Sequence, residues 1–223
     1  MISGHNSELH NLMVLQDQLI LRQPDDWHLH LRDGHILKET VAHSARVFRR
    51  AIVMPNLSPP ITSVNAARNY RKQILESIPK GGAFTPLMTA YLTDSLSPEV
   101  LENGCLEGVF FAAKLYPANS TTNSSNGVSD IRLIDSLLET MERIDLPLLI
   151  HGEVTDVEVD VFDREAVFIE RHLEPLLKRF PKLRVVLEHI TTENAVQFVE
   201  SSGFQLAATI TPHHLHINRN AMF

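Results

Sequence analysis

A chain of 223 residues with 43% hydrophobic and 21% charged residues has the composition of an ordinary globular domain with one sizeable core. Its net charge of -7 and the lack of a clustered basic patch argue against nucleic-acid and anionic-membrane partners. No apolar run reaches membrane-spanning length, and Cys105, the single cysteine, excludes an intrachain disulfide and fits a reducing compartment. The N-terminus resembles neither a secretory signal nor a transit peptide, so the cytoplasm is the expected location.

Residues 1–23 read as a leader, with a possible extra strand over 17–22, and residues 24–223 as one barrel-type domain. The segment Asp-Asp-Trp-His-Leu-His-Leu-Arg-Asp-Gly, 25–34, alternates like a short strand. His28, His30 and Arg32 then share one face and Trp27, Leu29 and Leu31 a buried apolar one. Two imidazoles at this spacing suit one divalent cation, and the guanidinium beside them suits an anion. A surface strand with two solvated histidines is the plainer alternative.

Apolar spacing predicts a helix over 36–48, a strand over 51–54, and a helix from an N-cap at Ser63 to about 78. A strand over 84–92, a short helix capped by Ser97, and a strand over 109–116 follow. Residues 118–126, almost free of apolar side chains, are expected to form a mobile loop. Beyond it come a helix over 130–143, a strand over 146–151, and an irregular acidic stretch over 153–161. A long helix from Asp163 to about 180 carries a kink expected at Pro175. A strand over 183–188, a helix from Thr192 to Gly203 and a strand over 204–211 complete the pattern, with 212–223 irregular.

Seven alternations of strand and helix predict βα units on a parallel sheet. The fold class expected is α/β of the (β/α)8 TIM-barrel type, incomplete, with about seven units and the eighth strand missing. A doubly wound sheet is the alternative, although no Gly-x-Gly-x-x-Gly turn follows the first strand. In such a barrel the C-terminal strand ends converge on the active site. His28, His30, Asn56, Lys114, His151 and His189 all stand at or just after predicted strand ends. Lys114 lies in the apolar run Val-Phe-Phe-Ala-Ala-Lys-Leu-Tyr, where an ammonium is costly to bury. Either it snorkels to the rim, or its neutral amine is carbamylated by carbon dioxide and bridges two cations.

Together with Met-Pro-Asn-Leu (54–57), Lys-Leu-Tyr-Pro (114–117), Leu-Ile-His-Gly-Glu-Val (149–154) and Leu-Glu-His-Ile-Thr-Thr (187–192), the 25–34 segment resembles the dihydroorotases. The likeness is to the monofunctional bacterial, fungal and plant type, within the amidohydrolase superfamily, and runs from about residue 25 to 223. The resemblance implies a pair of zinc ions held by His28, His30, carboxylated Lys114, His151 and His189. It implies a substrate carboxylate held by Arg32 and Asn56, and a loop with Thr121 and Thr122 that closes over the substrate. Implied too are reversible hydrolysis of dihydroorotate to N-carbamoyl-L-aspartate in pyrimidine synthesis, and a homodimer. The family's metal-ligating, proton-shuttling aspartate belongs to the eighth strand and is expected to lie beyond residue 223, so no catalytic acid–base residue is assigned. Asp33, Glu153 and Glu188 receive no role. Two other functions compete: a catalytically impaired chain that binds metal or dimerises with a full-length enzyme, and a hydantoinase-like hydrolase, which the Arg32–Asn56 pair disfavours.

Overall fold

The structure, a computed structural model, describes residues 13–15 and 18–222. Most of the expected leader therefore lies outside the described residues. The extra strand is realised as β2 (Gln18–Ile20), which pairs antiparallel with β1 (Met13–Leu15) and stays separate from the main sheet.

That sheet consists of β3 (Asp25–Leu29), β4 (Arg50–Val53), β5 (Thr85–Tyr91), β6 (Phe110–Leu115), β7 (Leu148–His151), β8 (Val185–Glu188) and β9 (Leu206–Ala208). They lie side by side in chain order, and every neighbouring pair is parallel. A parallel neighbour requires a crossover, here supplied chiefly by α1 (Leu37–Val47), α2 (Val64–Glu76), α3 (Pro98–Leu106), α4 (Asp135–Arg143), α5 (Arg164–Phe168) with α6 (Glu174–Arg179), and α7 (Glu193–Ser201). The sheet curls strongly. In a flat sheet β3 and β8 would stand roughly 24 Å apart, at about 4.8 Å per strand step. Instead His28 Nδ1 on β3 lies 2.9 Å from Glu188 Oε1 on β8.

Curling creates two apolar layers. Between strands and helices sits the main core, including Val53, Ala90, Ala113, Leu115, Ile150 and Leu187. Inside the curl, Ile52, Met54, Ala112 and Leu149 pack with Leu87 and Val186. These inner residues alternate with the outer ones along each strand, which is the period-two rule acting on a sheet buried on both faces. The same parity carries Lys114, His151 and Glu188 inward, one step nearer the C-terminal end than Ala112, Leu149 and Val186.

Some local expectations hold and others are corrected. Leu31 is buried, but Trp27 is 51% exposed because β3 is an edge of the described sheet; Arg50 lies over its ring at 5.7 Å. Ser63 and Thr192 cap their helices, accepting from the Ala66 and Ala195 N–H groups, each at 3.2 Å. Ser97 occupies an N-cap position, yet its hydroxyl donates to the Glu99 carboxylate instead. Pro175 does not kink a continuous α-helix: a π turn, Ile169–Leu173, precedes α6, and Pro175 sits in its first turn, where no intrahelical N–H is needed. Residues after β9 are partly helical rather than irregular, with α8 at Pro212–His216 and a 3-10 turn at Arg219–Met222. Among the described residues no helix is long and apolar enough to cross a membrane.

The fit between α3 and β6 depends on Gly104, where a Cβ would come within 2.1 Å of the Phe110 ring. Gly104→Ala is expected to destabilise the protein by about 1–3 kcal/mol through overpacking. Thermal unfolding checks this: Tm should fall, and Phe110→Leu in the same chain should recover part of the loss.

Candidate metal and active site

At the C-terminal rim of the curled sheet, β3 contributes His28 and, just past its end, His30, whose Nε2 atoms face each other at 3.1 Å. From β7 comes His151, and from the residue after β8 comes His189; His151 Nδ1 and His189 Nε2 also lie 3.1 Å apart. The two pairs adjoin, with the His28 and His189 ring centroids 5.2 Å apart. Four histidines distant in sequence are thus one cluster. Burial drives the His30 imidazolium pKa down to about 3, helped by the charges of His28, Arg32 and Lys114. Burial likewise lowers His189 to about 2, with Lys114, His151 and His28 adding to the shift. Both rings are therefore neutral and keep a lone pair free at physiological pH.

Lys114 does not snorkel. It is wholly buried, its ammonium donates to the Glu188 carboxylate, and its Nζ lies 4.9 Å from the Tyr116 ring centroid. Burial pulls the lysine below its ordinary pKa, while Glu188 opposes the shift. For Glu188, burial alone would raise the carboxyl, but the charge of Lys114 and the close approach of His28 outweigh it and hold it at about 2. We take the carboxylate to be ionised and the lysine to be unusually easy to deprotonate. Glu188, which the residue pattern alone does not single out, is fully buried between Lys114 and His28.

Arg32 leaves the strand alternation: its φ is 59° and its carbonyl accepts a 2.5 Å hydrogen bond from the Tyr70 hydroxyl. Its Nη1 is buried without a partner. Asn56, also buried, donates from Nδ2 to the Thr122 carbonyl at 3.0 Å, and its Oδ1 has no partner. The 118–126 loop, expected to be mobile, is folded onto the rim. Asn123 Nδ2 donates to the Asn56 carbonyl at 3.1 Å, the Tyr91 hydroxyl donates to the Asn123 carbonyl at 3.2 Å, and buried Ser124 donates to the Thr121 carbonyl at 2.6 Å. Such bonds hold a polar segment in place without apolar content. Thr121 and Thr122 themselves are exposed.

The donor set fits a metal. Nitrogen ligands of neutral histidines suit a borderline divalent ion such as zinc. His28 Nδ1, His151 Nε2 and Glu188 Oε1 are buried without hydrogen-bond partners; the first and last, though 2.9 Å apart, are not aligned as a bond. Orphaned polar atoms of this kind are costly unless something else binds them. Among the described residues no three His, Cys, Asp or Glu donors already surround one point; they come as two facing pairs, with Lys114 beneath.

Residues 20–222 match the model of the Amidohydrolase family. The sequence is 68% identical over 209 residues to a dihydroorotase of Synechococcus sp. (strain CC9605), covering 94% of this chain and 60% of that protein. Among solved structures, a dihydroorotase from Campylobacter jejuni superposes with TM-score 0.85 at 40% identity, over 96% of this chain and 61% of that one. Dihydroorotase from Saccharomyces cerevisiae in complex with 5-fluoroorotic acid matches with TM-score 0.80 at 30% identity, over 89% of this chain and 58% of that one. The chain thus spans about 60% of the length of the curated relatives it matches.

Replacing Glu188 by Gln would leave the Lys114 ammonium without its counter-charge, a change expected to cost about 3–5 kcal/mol. Because the folded carboxyl pKa lies below its ordinary 4.5, the stability it contributes is present above 4.5 and is lost as pH falls through about 2. The Tm gap between parent and Glu188→Gln should therefore be full at about pH 6 and close towards about pH 2. A gap independent of pH would contradict an ionised Glu188.

Proposed function

The chain belongs to the amidohydrolase family, and on that premise we propose that it carries the metal-binding and carboxylate-binding part of a dihydroorotase, interconverting dihydroorotate and N-carbamoyl-L-aspartate. The observation that carries the reading is the meeting of His28, His30, His151 and His189 around buried Lys114 at the strand ends. In this reading those four histidines and a carboxylated Lys114 hold two zinc ions, which when bound polarise the scissile carbonyl and lower the pKa of water. Carboxylation requires a neutral amine: burial of Lys114 favours that form, Glu188 opposes it, and the carboxylated side chain would replace the Lys114–Glu188 ion pair.

The chain's own side chains orient the substrate. Arg32 presents its unpaired Nη1 donor, which suits a carboxylate. Asn56 spends one Nδ2 hydrogen on Thr122 and keeps the other for the same anion. Together they fix the ring by its carboxylate, and fixed geometry lowers the entropic part of the barrier. The 118–126 loop, tied to Asn56 and Tyr91, shields this corner from water, with Thr121 and Thr122 at its outer turn. A relative solved with 5-fluoroorotic acid supports an anionic pyrimidine as the ligand class. Homodimerisation, a place in pyrimidine synthesis and a cytoplasmic location belong to the same proposal.

Metal content and ligand affinity test it separately. Protein grown with zinc and bicarbonate should hold more than one equivalent of zinc by elemental analysis, and Lys114→Ala should lose at least one. Calorimetry with 5-fluoroorotic acid should show Arg32→Ala binding weaker by about 2–5 kcal/mol, on the order of 30-fold or more, with zinc content unchanged. Equal affinity in the variant would mean that Arg32 is not the carboxylate clamp.

A further inference from the structure

Five described residues other than glycine have a left-handed backbone: Arg32, Asn119, Asn123, Asp145 and His189. Three are Asn or Asp, whose short polar side chains tolerate it. The others, Arg32 and His189, are the two that belong to the candidate site. Such a conformation persists only where its surroundings over-determine it. For His189 (φ 46°) the surroundings are visible on both sides.

On one side, β9 leads to Thr209. The His189 N–H donates to Thr209 Oγ1 at 2.8 Å, and the Ile190 N–H to the Thr209 carbonyl at 2.9 Å. On the other stands Glu165, a buried carboxylate on α5 that makes no hydrogen bond to any histidine. Burying such a charge is costly unless it is fully bonded. Both its oxygens accept from the Thr191 N–H at 3.1 Å. Its Oε1 also accepts from the Thr192 N–H at 2.9 Å and the Thr192 hydroxyl at 2.6 Å. Thr192 Oγ1 in turn accepts the Ala195 N–H at 3.2 Å, so the lock extends into the first turn of α7.

We infer that Glu165 is a positioning residue for His189: by locking the turn between β8 and α7 to α5, it fixes the direction in which the His189 imidazole enters the histidine cluster. Only the consequence for metal binding rests on the function proposed above; the hold on His189 does not. A carboxylate is needed because both oxygens act as acceptors. Glutamine keeps one acceptor and turns an NH2 towards N–H groups that need one.

The test uses the ring resonances of the histidines in the metal-free chain, with His189 assigned by their loss in His189→Asn. Glu165→Gln should shift and broaden the His189 signals while those of His28 and His30 stay in place. Titration with Zn2+ alone should then show affinity reduced by about 10-fold or more. Thr192→Ser, which keeps the hydroxyl, should match the parent in both. If Glu165→Gln proves too unstable to study, Glu165→Asp should displace the same His189 signals to a smaller extent. Parent-like His189 signals in a folded Glu165 variant would overturn the inference, as would equal displacement of all the cluster's histidines. A parent chain that binds no Zn2+ would overturn the proposed function, and the ring resonances would still decide the role of Glu165.

Discussion

The Lys114 amine and the Glu188 carboxylate lie together in the strand-lined interior with no exposure of either side chain. Neither is tolerable there alone. Lys114 stands on β6 and Glu188 on β8, with β7 between them, so the pair bridges the concave face. Glu188 also approaches His28 from β3, the far edge of the described sheet. The polar floor under the histidines is therefore shared by three strands and stands directly above the inner apolar layer of Ile52, Met54, Ala112 and Leu149. A buried pair of this kind is poor material for stability and good material for a reactive centre.

Above that floor the backbone leaves regular geometry where side chains must be aimed. The strand alternation puts one residue in two inward; at β8 the site receives both Glu188 and His189 because His189 turns to a left-handed φ. At β3 the same departure occurs at Arg32, held by the Tyr70 hydroxyl. Outer helices thus reach the chemistry indirectly. Tyr70 of α2 and Glu165 of α5 both act on backbone groups next to the site rather than on a ligand.

Most of the fold was legible because each βα unit has its own punctuation: apolar runs, N-caps such as Ser63 and Thr192, and breaking Pro and Gly residues. The histidines were legible for a related reason, since each follows an apolar strand and topology gathers strand ends. Glu188 was not. Period two allows only one of two adjacent residues to point inward, and nothing in the residue types foretells the turn at His189 that admits both. The docking of the 118–126 loop was not legible for a different reason: its composition records a lack of apolar side chains, while its place on the rim comes from bonds to Asn56 and Tyr91, far away in sequence. Trp27 misled because alternation identifies a face without telling whether anything covers it.

The central claim is that the facing histidine pairs and Lys114 are one metal-binding unit. Anomalous diffraction at the zinc absorption edge from crystals grown with Zn2+ and bicarbonate tests it most directly. Two peaks among His28, His30, His151 and His189, with extra density extending from Lys114 Nζ, are expected. A cluster without anomalous signal, with Lys114 still an unmodified ammonium on Glu188, would contradict the claim.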